Sequence, residues 1–257
     1  RASQGDVMQT KYGSHGDYQV IAFAPASVQE MFDLTIDSFN YAEKYRVPAF
    51  LLSDAEVGHM RGLLRIPEKV KIVNRKERGV KRDDEAYEVS DSLVHPFPTF
   101  GKGNKAIVTG MTHTDKSKIE PEDAKVHSEL VTRLNEKIIK SRRDINKYEL
   151  IGEGSRTMII SYGSAALGAK DVATKDGSVG LLRLKSLWPL PEEPIREVAA
   201  RAEKILMIEM NLGQLYWPVK RACLEAGCKQ VEFLPKIGGD PPTPSEVRHK
   251  LREMGAI

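Results

Sequence analysis

Cysteine is almost absent: Cys223 and Cys228, with four residues between them, are the only two in the sequence. Two thiolates are too few for a tetrahedral zinc site or an iron-sulfur cluster built by this chain alone, so they are expected as free, partly buried thiols. Long apolar runs are missing as well. No stretch reaches the roughly 18 apolar residues of a membrane-spanning helix, and no signal-peptide pattern opens the chain, which points to a cytoplasmic protein with no membrane partner. Charge of one sign is scarce too, with 39 lysines and arginines against 36 aspartates and glutamates, a formal +3. So small an imbalance gives no global case for a nucleic-acid partner. An initiator methionine is also lacking. Arg1-Ala2-Ser3 carries no helix or strand signal before Gln4, as though the sequence enters in the middle of a loop, and a fragment is expected.

What is present is an ordinary globular composition, 40% hydrophobic over 257 residues, enough for one large domain or two modest ones. "QVIAFA" (Gln19 to Ala24) is short, apolar and ended by Pro25, and reads as a strand. Ser27 to Glu30 form a capping box, after which Val28, Met31, Phe32, Thr35, Ile36, Phe39 and Ala42 recur at helical spacing. "VPAFLLSD" (Val47 to Asp54) is a second strand, and a strand, helix, strand unit implies parallel pairing. Residues 1–68 are therefore expected as one α/β unit.

From 69 to 147 the chain is charged and rich in proline and glycine, and reads as a connector. Its one strand-like run is "AIVTGM" (Ala106 to Met111). Val126, Leu130, Leu134 and Ile138 step by four, so a helix with one apolar stripe is expected from Glu122 to about Ser141, its basic "KIIKSRRDINK" end reading as a solvated face. The last part, 148–257, is the most regular. Strands are expected at Thr157–Gly163, Val179–Leu190, Lys204–Met210 and Val231–Ile237, and helices at Ser164–Thr174, Pro194–Arg201, Gln214–Ala226 and Ser245–Met254. Four strands alternating with four helices argue an open α/β sheet as a second domain.

Ligands of open α/β sheets gather at the carboxyl ends of strands. The exits "SDAEVGHM" (Ser53 to Met60), "SYGS" (Ser161 to Ser164), "SLWPLP" (Ser186 to Pro191) and "EMNLGQ" (Glu209 to Gln214) are the places to look, and none is a complete catalytic set. "SYGS" lacks the further glycines of a dinucleotide fingerprint and the lysine of a phosphate loop. His59 matches no metal-ligand spacing, so no metal site is expected. His113, in a turn after a strand, is a minor interface candidate. The opening turn differs: Arg1, Lys11 and His15 are three possible cations within 15 residues, Ser14 adds a donor, and Gly13 and Gly16 allow backbone approach. Such a set suits a small carboxylate, which favours charge-assisted hydrogen bonds, although Asp17 could simply neutralise His15 or Lys11.

The sequence from "QGDVMQTKYGSHGDYQV" through "LLSDAEVGHM" resembles alpha subunits of 2-oxoacid:ferredoxin oxidoreductases, and most of all their 2-oxoglutarate branch. "PFPTFGKG", "VTGMTHTD", "VGLLRLKSLWPLP", "EMNLGQ" and "KIGGDPPTPSEV" resemble the same subunit in the same order, over nearly the whole chain. The resemblance implies the C-terminal part of a thiamine-diphosphate pyrimidine-binding α/β domain followed by a transketolase C-terminal-like open α/β sheet. It implies an enzyme active only as a complex, converting 2-oxoglutarate and coenzyme A to succinyl-CoA and carbon dioxide while reducing ferredoxin. A branched-chain 2-oxoacid enzyme of the same family, and a non-catalytic scaffold that kept the fold, are the alternatives.

In that family a beta subunit shares the thiamine diphosphate and magnesium site and carries an iron-sulfur cluster, so this chain alone is expected to bind neither; gamma and delta subunits are further candidate partners. By resemblance, Arg1, Lys11, Ser14, His15 and Gly16 are the expected readers of the substrate carboxylates. The family's "YPITP" motif, its "GPSTG" run and the glutamate that activates the cofactor are expected upstream of Arg1, and the catalytic residue is therefore unknown here.

Overall fold

A computed structural model describes residues 1–77, 79, 93–104 and 108–257. The elements run α1 (Val7–Tyr12), β1 (Ile21–Phe23), α2 (Val28–Tyr45), β2 (Ala49–Leu51), α3 (Ala55–His59), α4 (Ala124–Ile139), α5 (Arg142–Ile145) and β3 (Tyr148–Ile151). They continue as β4 (Thr157–Tyr162), α6 (Ala165–Asp176), β5 (Val179–Leu184), β6 (Ser186–Trp188), α7 (Glu192–Arg201), β7 (Lys204–Glu209), α8 (Tyr216–Glu225), β8 (Gln230–Pro235) and α9 (Pro244–Glu253).

Two sheets organise the chain. The larger has the strand order β3-β5-β4-β7-β8, with β5, β4, β7 and β8 parallel and β3 antiparallel at one edge. Strands β4 and β5 are buried throughout, as parallel strands covered on both faces must be. One face packs Met158, Ile160, Leu182, Ile205 and Met207 under α7 and α8; the other packs Ile159, Leu181, Leu206 and Ile208 under α6 and α9. The smaller sheet has the order β2-β1-β6, with β1 and β2 parallel, as the strand, helix, strand pattern requires. Ile21 and Phe23 pack with Leu34 and Tyr45 of α2 and with Ile138 and Ile145, so the expected apolar stripe of α4 reaches a core at its C-terminal end, while Val126, Leu130 and Leu134 are half-buried.

The expected strand Val179–Leu190 breaks in two. Its second piece, β6, leaves the large sheet and pairs antiparallel with β1, so the second half of the chain completes the first sheet. Strand β3 and the short helices α1, α3 and α5 were not expected. The strand expected at Ala106–Met111 falls partly on 105–107, outside the described residues, and 108–111 carry no strand.

Polar contacts join the two units. Arg183 on β5 is buried, donates to both oxygens of Glu30 on α2 at 2.9 and 2.6 Å, and reaches Glu149 on β3 at 2.7 Å. Ser27 Oγ caps α2 by accepting from Glu30 N, and the Glu30 carboxylate reaches back to accept from Ala26 N rather than from the Ser27 N of the expected capping box. Trp188 Nε1 donates to Val7 O at 2.9 Å, tying α1 to β6. No helix among the described residues is long and apolar enough to cross a membrane.

Candidate functional site

The strand exits meet one another. Gln4, at the start of the chain, is buried; its Nε2 donates to Tyr162 O at 3.0 Å and to Asp54 Oδ2 at 3.3 Å, and its Oε1 accepts from Met210 N at 2.9 Å. Its backbone adds Gln4 N to Met210 O at 3.1 Å, and Gln4 O accepts from Asn211 Nδ2 at 2.8 Å. Asp54 caps α3 through Val57 N and also accepts from Ser164 N at 2.9 Å, at the opening of α6. Gly163, between β4 and α6, sits at φ +56°, and a Cβ there would lie 2.6 Å from Gln4 Nε2 and 2.9 Å from Asp54 Oδ2, so a side chain would be strained and would displace the Gln4–Asp54 contact.

Glu209, at the end of β7, is fully buried and accepts from Tyr162 Oη, Asn211 Nδ2 and Leu215 N at 2.9, 2.9 and 3.0 Å, and from Tyr216 N. Burial pushes its carboxyl above the usual range against the pull of those donors. Burial, and then Glu209, hold the Tyr162 phenol well above its ordinary value. Three of the four candidate exits, at Asp54, at Tyr162 to Ser164 and at Glu209 to Asn211, thus satisfy one another's polar groups, whereas Ser186 and Trp188 bond to Lys147 and Val7 instead. Beside the three exits a small, partly open cleft of about 30 Å³, with room for water, is lined by Gln4, Leu52, Asp54 and Tyr162. These residues spend their polar groups on one another, and no step of cofactor chemistry is assigned to them.

The opening turn is more accessible. Lys11 is the penultimate residue of α1 and half-buried; its Nζ donates to Tyr18 O and stands 5.4 Å from the ring centroids of both Tyr12 and Tyr18. Burial pushes its pKa down, opposed by the Asp17 carboxylate. Ser14 N donates to Tyr18 Oη at 3.1 Å, and Gly16 turns the chain at φ +86°. Ser14, His15 and Gly16 are exposed. Arg1 stands apart from them in its contacts, paired with Asp240 at 3.5 Å in the loop after β8. Four of the five expected carboxylate readers therefore share one turn, and within it Lys11 is already engaged.

Beside the turn lies a cavity of about 700 Å³ walled by Ser14, Tyr18, Val20, Phe50, Arg46 and Lys137. Lys137 departs from the solvated basic face expected at the end of α4. It is only 7% exposed, donates to Arg46 O at 2.9 Å, and is pushed down to about 8 by burial with Arg133 and Arg46 adding. Its place on the buried stripe, beside Ile138, was the available signal. His59 Nδ1 lies 3.0 Å from Ala55 O and His113 Nδ1 2.8 Å from Met111 O, both local backbone contacts. No group of three potential metal ligands occurs among the described residues. Cys223 and Cys228 are free and buried, and burial pushes the Cys223 thiol up to about 12.

Residues 1–133 match the family model described as pyruvate flavodoxin/ferredoxin oxidoreductase, thiamine diphosphate-binding, and residues 156–247 match pyruvate:ferredoxin oxidoreductase core domain II. The chain belongs to this oxidoreductase family. Within it, the 2-oxoglutarate synthase subunit KorA of Methanothermobacter thermautotrophicus is 41% identical over 98% of this chain and 68% of its own length. The ketoisovalerate oxidoreductase subunit VorB of Methanothermobacter marburgensis is 34% identical over 98% of this chain and 65% of its own. A solved 2-oxoglutarate:ferredoxin oxidoreductase from Magnetococcus marinus, with 2-oxoglutarate, coenzyme A and succinyl-CoA bound, superposes with a TM-score of 0.83 at 25% identity, over 98% of this chain. The chain spans only 45% of that solved chain.

Proposed function

We propose that this chain is part of the alpha subunit of a 2-oxoglutarate:ferredoxin oxidoreductase, which decarboxylates 2-oxoglutarate oxidatively to succinyl-CoA and carbon dioxide and reduces ferredoxin. The observation that carries the reading is the 41% identity, across 98% of the chain, with a 2-oxoglutarate synthase subunit. The ketoisovalerate relative is more distant, at 34%. The exposed turn of Ser14, His15 and Gly16 supports a role in holding a substrate carboxylate, with Arg1 a second, separate cation. A dicarboxylate gains more from such groups than pyruvate does, which makes the turn a discriminator.

Thiamine diphosphate supplies carbanion stabilisation when bound. It is proposed to bind where a beta subunit completes the site with magnesium, the iron-sulfur cluster being carried by that partner. Gamma and delta subunits, coenzyme A, ferredoxin and a cytoplasmic location belong to the same proposal. The test is to purify the intact protein with its co-expressed partners and measure viologen or ferredoxin reduction. Reduction dependent on both 2-oxoglutarate and coenzyme A is expected; preference for a branched-chain 2-oxoacid, or no reduction with any 2-oxoacid, would overturn the reading.

A further inference from the structure

Side chains from both ends of the opening turn and from α4 hold it closed, and Lys11 is at their centre. Its ammonium is directed at Tyr18 O, between the rings of Tyr12 and Tyr18. Tyr18 also reaches back, its hydroxyl accepting from Ser14 N. On the far side Asn135 Nδ2 of α4 donates to Asp17 O at 3.0 Å, and Asn135 Oδ1 accepts from Gln19 Nε2 at 2.9 Å. The segment from Gly13 to Asp17 is thus pinned at both ends while Ser14, His15 and Gly16 face solvent. One of the three N–H donors of the ammonium is committed to that carbonyl and two aromatic rings stand 5.4 Å from it, so much of its shell is already spent within the turn.

We propose that Lys11 is a positioning residue: it clasps the turn at Tyr18 O so that the exposed His15 and Gly16, and not its own ammonium, present to a substrate carboxylate. The inference rests on the reading of the turn as a carboxylate site. It separates two roles that charge alone assigns together, because a ligand acts only when substrate is bound, whereas a clasp acts on the free protein too.

Hydrogen exchange of the turn and steady-state kinetics distinguish them, measured on the intact complex with Lys11→Met, Tyr18→Phe and His15→Ala. Methionine keeps an unbranched apolar stem between the rings and removes the donor; Tyr18→Phe keeps the carbonyl and ring and frees only Ser14 N. Without substrate, Lys11→Met is expected to raise amide exchange across residues 13–18 about tenfold, and Tyr18→Phe to raise it less. With substrate, Lys11→Met raises KM for 2-oxoglutarate about tenfold and leaves kcat within about twofold. Unchanged exchange in Lys11→Met, whatever its KM, overturns the clasp, and a raised KM beside unchanged exchange makes the ammonium the ligand. Raised exchange with an unchanged KM, while His15→Ala raises KM, also overturns it. If His15→Ala leaves KM unchanged, the carboxylate reading of the turn is what fails.

Discussion

Replacing Gln4 with alanine tests whether the strand exits form a seam between the two units. The side chain makes three hydrogen bonds, two donated to Tyr162 O and Asp54 Oδ2 and one accepted from Met210 N. Its loss leaves the Met210 amide buried without that acceptor, at a cost of about 1–3 kcal/mol, and deprives the Tyr162 carbonyl of a donor, at about 1 kcal/mol. Asp54 still holds Ser164 N and Val57 N, so its loss is small. Water entering the adjoining cleft of about 30 Å³, enlarged by the lost side chain, re-satisfies part of the set, which brings the summed cost down to about 1–3 kcal/mol. Urea unfolding of the intact protein measures it, followed both by far-UV circular dichroism and by tryptophan fluorescence. Trp188 reports the same seam, because its indole donates to Val7 O only three residues beyond Gln4. A loss below about 1 kcal/mol by both probes would refute the reasoning and mean that residues 1–6 rest on the second unit without stabilising it.

Other groups give further outcomes. Burial raises the Glu30 carboxyl, but Arg183 and Lys185 overcome it and bring it down to about 2. A depressed folded pKa stabilises above the unfolded value and is lost as pH falls through the folded one. Wild-type stability should therefore drop between about pH 4.5 and 2, and acid titration of Glu30→Gln should show a shallower drop. Arg183→Met removes the buried partner shared by Glu30 and Glu149, which keep Lys185 and Lys170, and should destabilise by about 3 kcal/mol, the low end for breaking a buried pair, in denaturant titration. Lys137 runs the other way: its pKa falls from 10.5 to about 8, so the unfolded chain binds the extra proton between those values and stability should rise with pH there. Lys137→Met should abolish that rise; a rise of equal size in the variant would place its origin elsewhere. Cys223 and Cys228 should resist a thiol reagent in the native protein and both react on unfolding, since burial raises both thiols.

The larger sheet was legible because its central parallel strands are runs dominated by apolar residues and bounded by turn residues, so the few polar groups they bury, such as Ser161 and Arg183, do not hide the signal. Where burial on one side ends, legibility ends too. Tyr148–Ile151 went unread because an edge strand carrying Tyr148 and Glu149 has no such run, and Glu149 is there to meet Arg183 from the neighbouring strand. The break at Lys185 within "VGLLRLKSLWPL" went unread for the opposite reason: both pieces are apolar, and nothing local says that β6 changes sheets. At the site the same division holds. The turn was visible because its charges and glycines are adjacent in sequence. The seam was not, because Gln4, Asp54, Tyr162 and Met210 are brought together only by the fold, and a lone glutamine carries no pattern. Reading each exit separately as a place for a ligand counted polar groups that the exits spend on one another. Within the turn Ser14, His15 and Gly16 face solvent, with Ser14 held through its backbone N by Tyr18 Oη, and on that ground His15→Ala, rather than any change at the seam, is the substitution expected to alter substrate KM without altering stability.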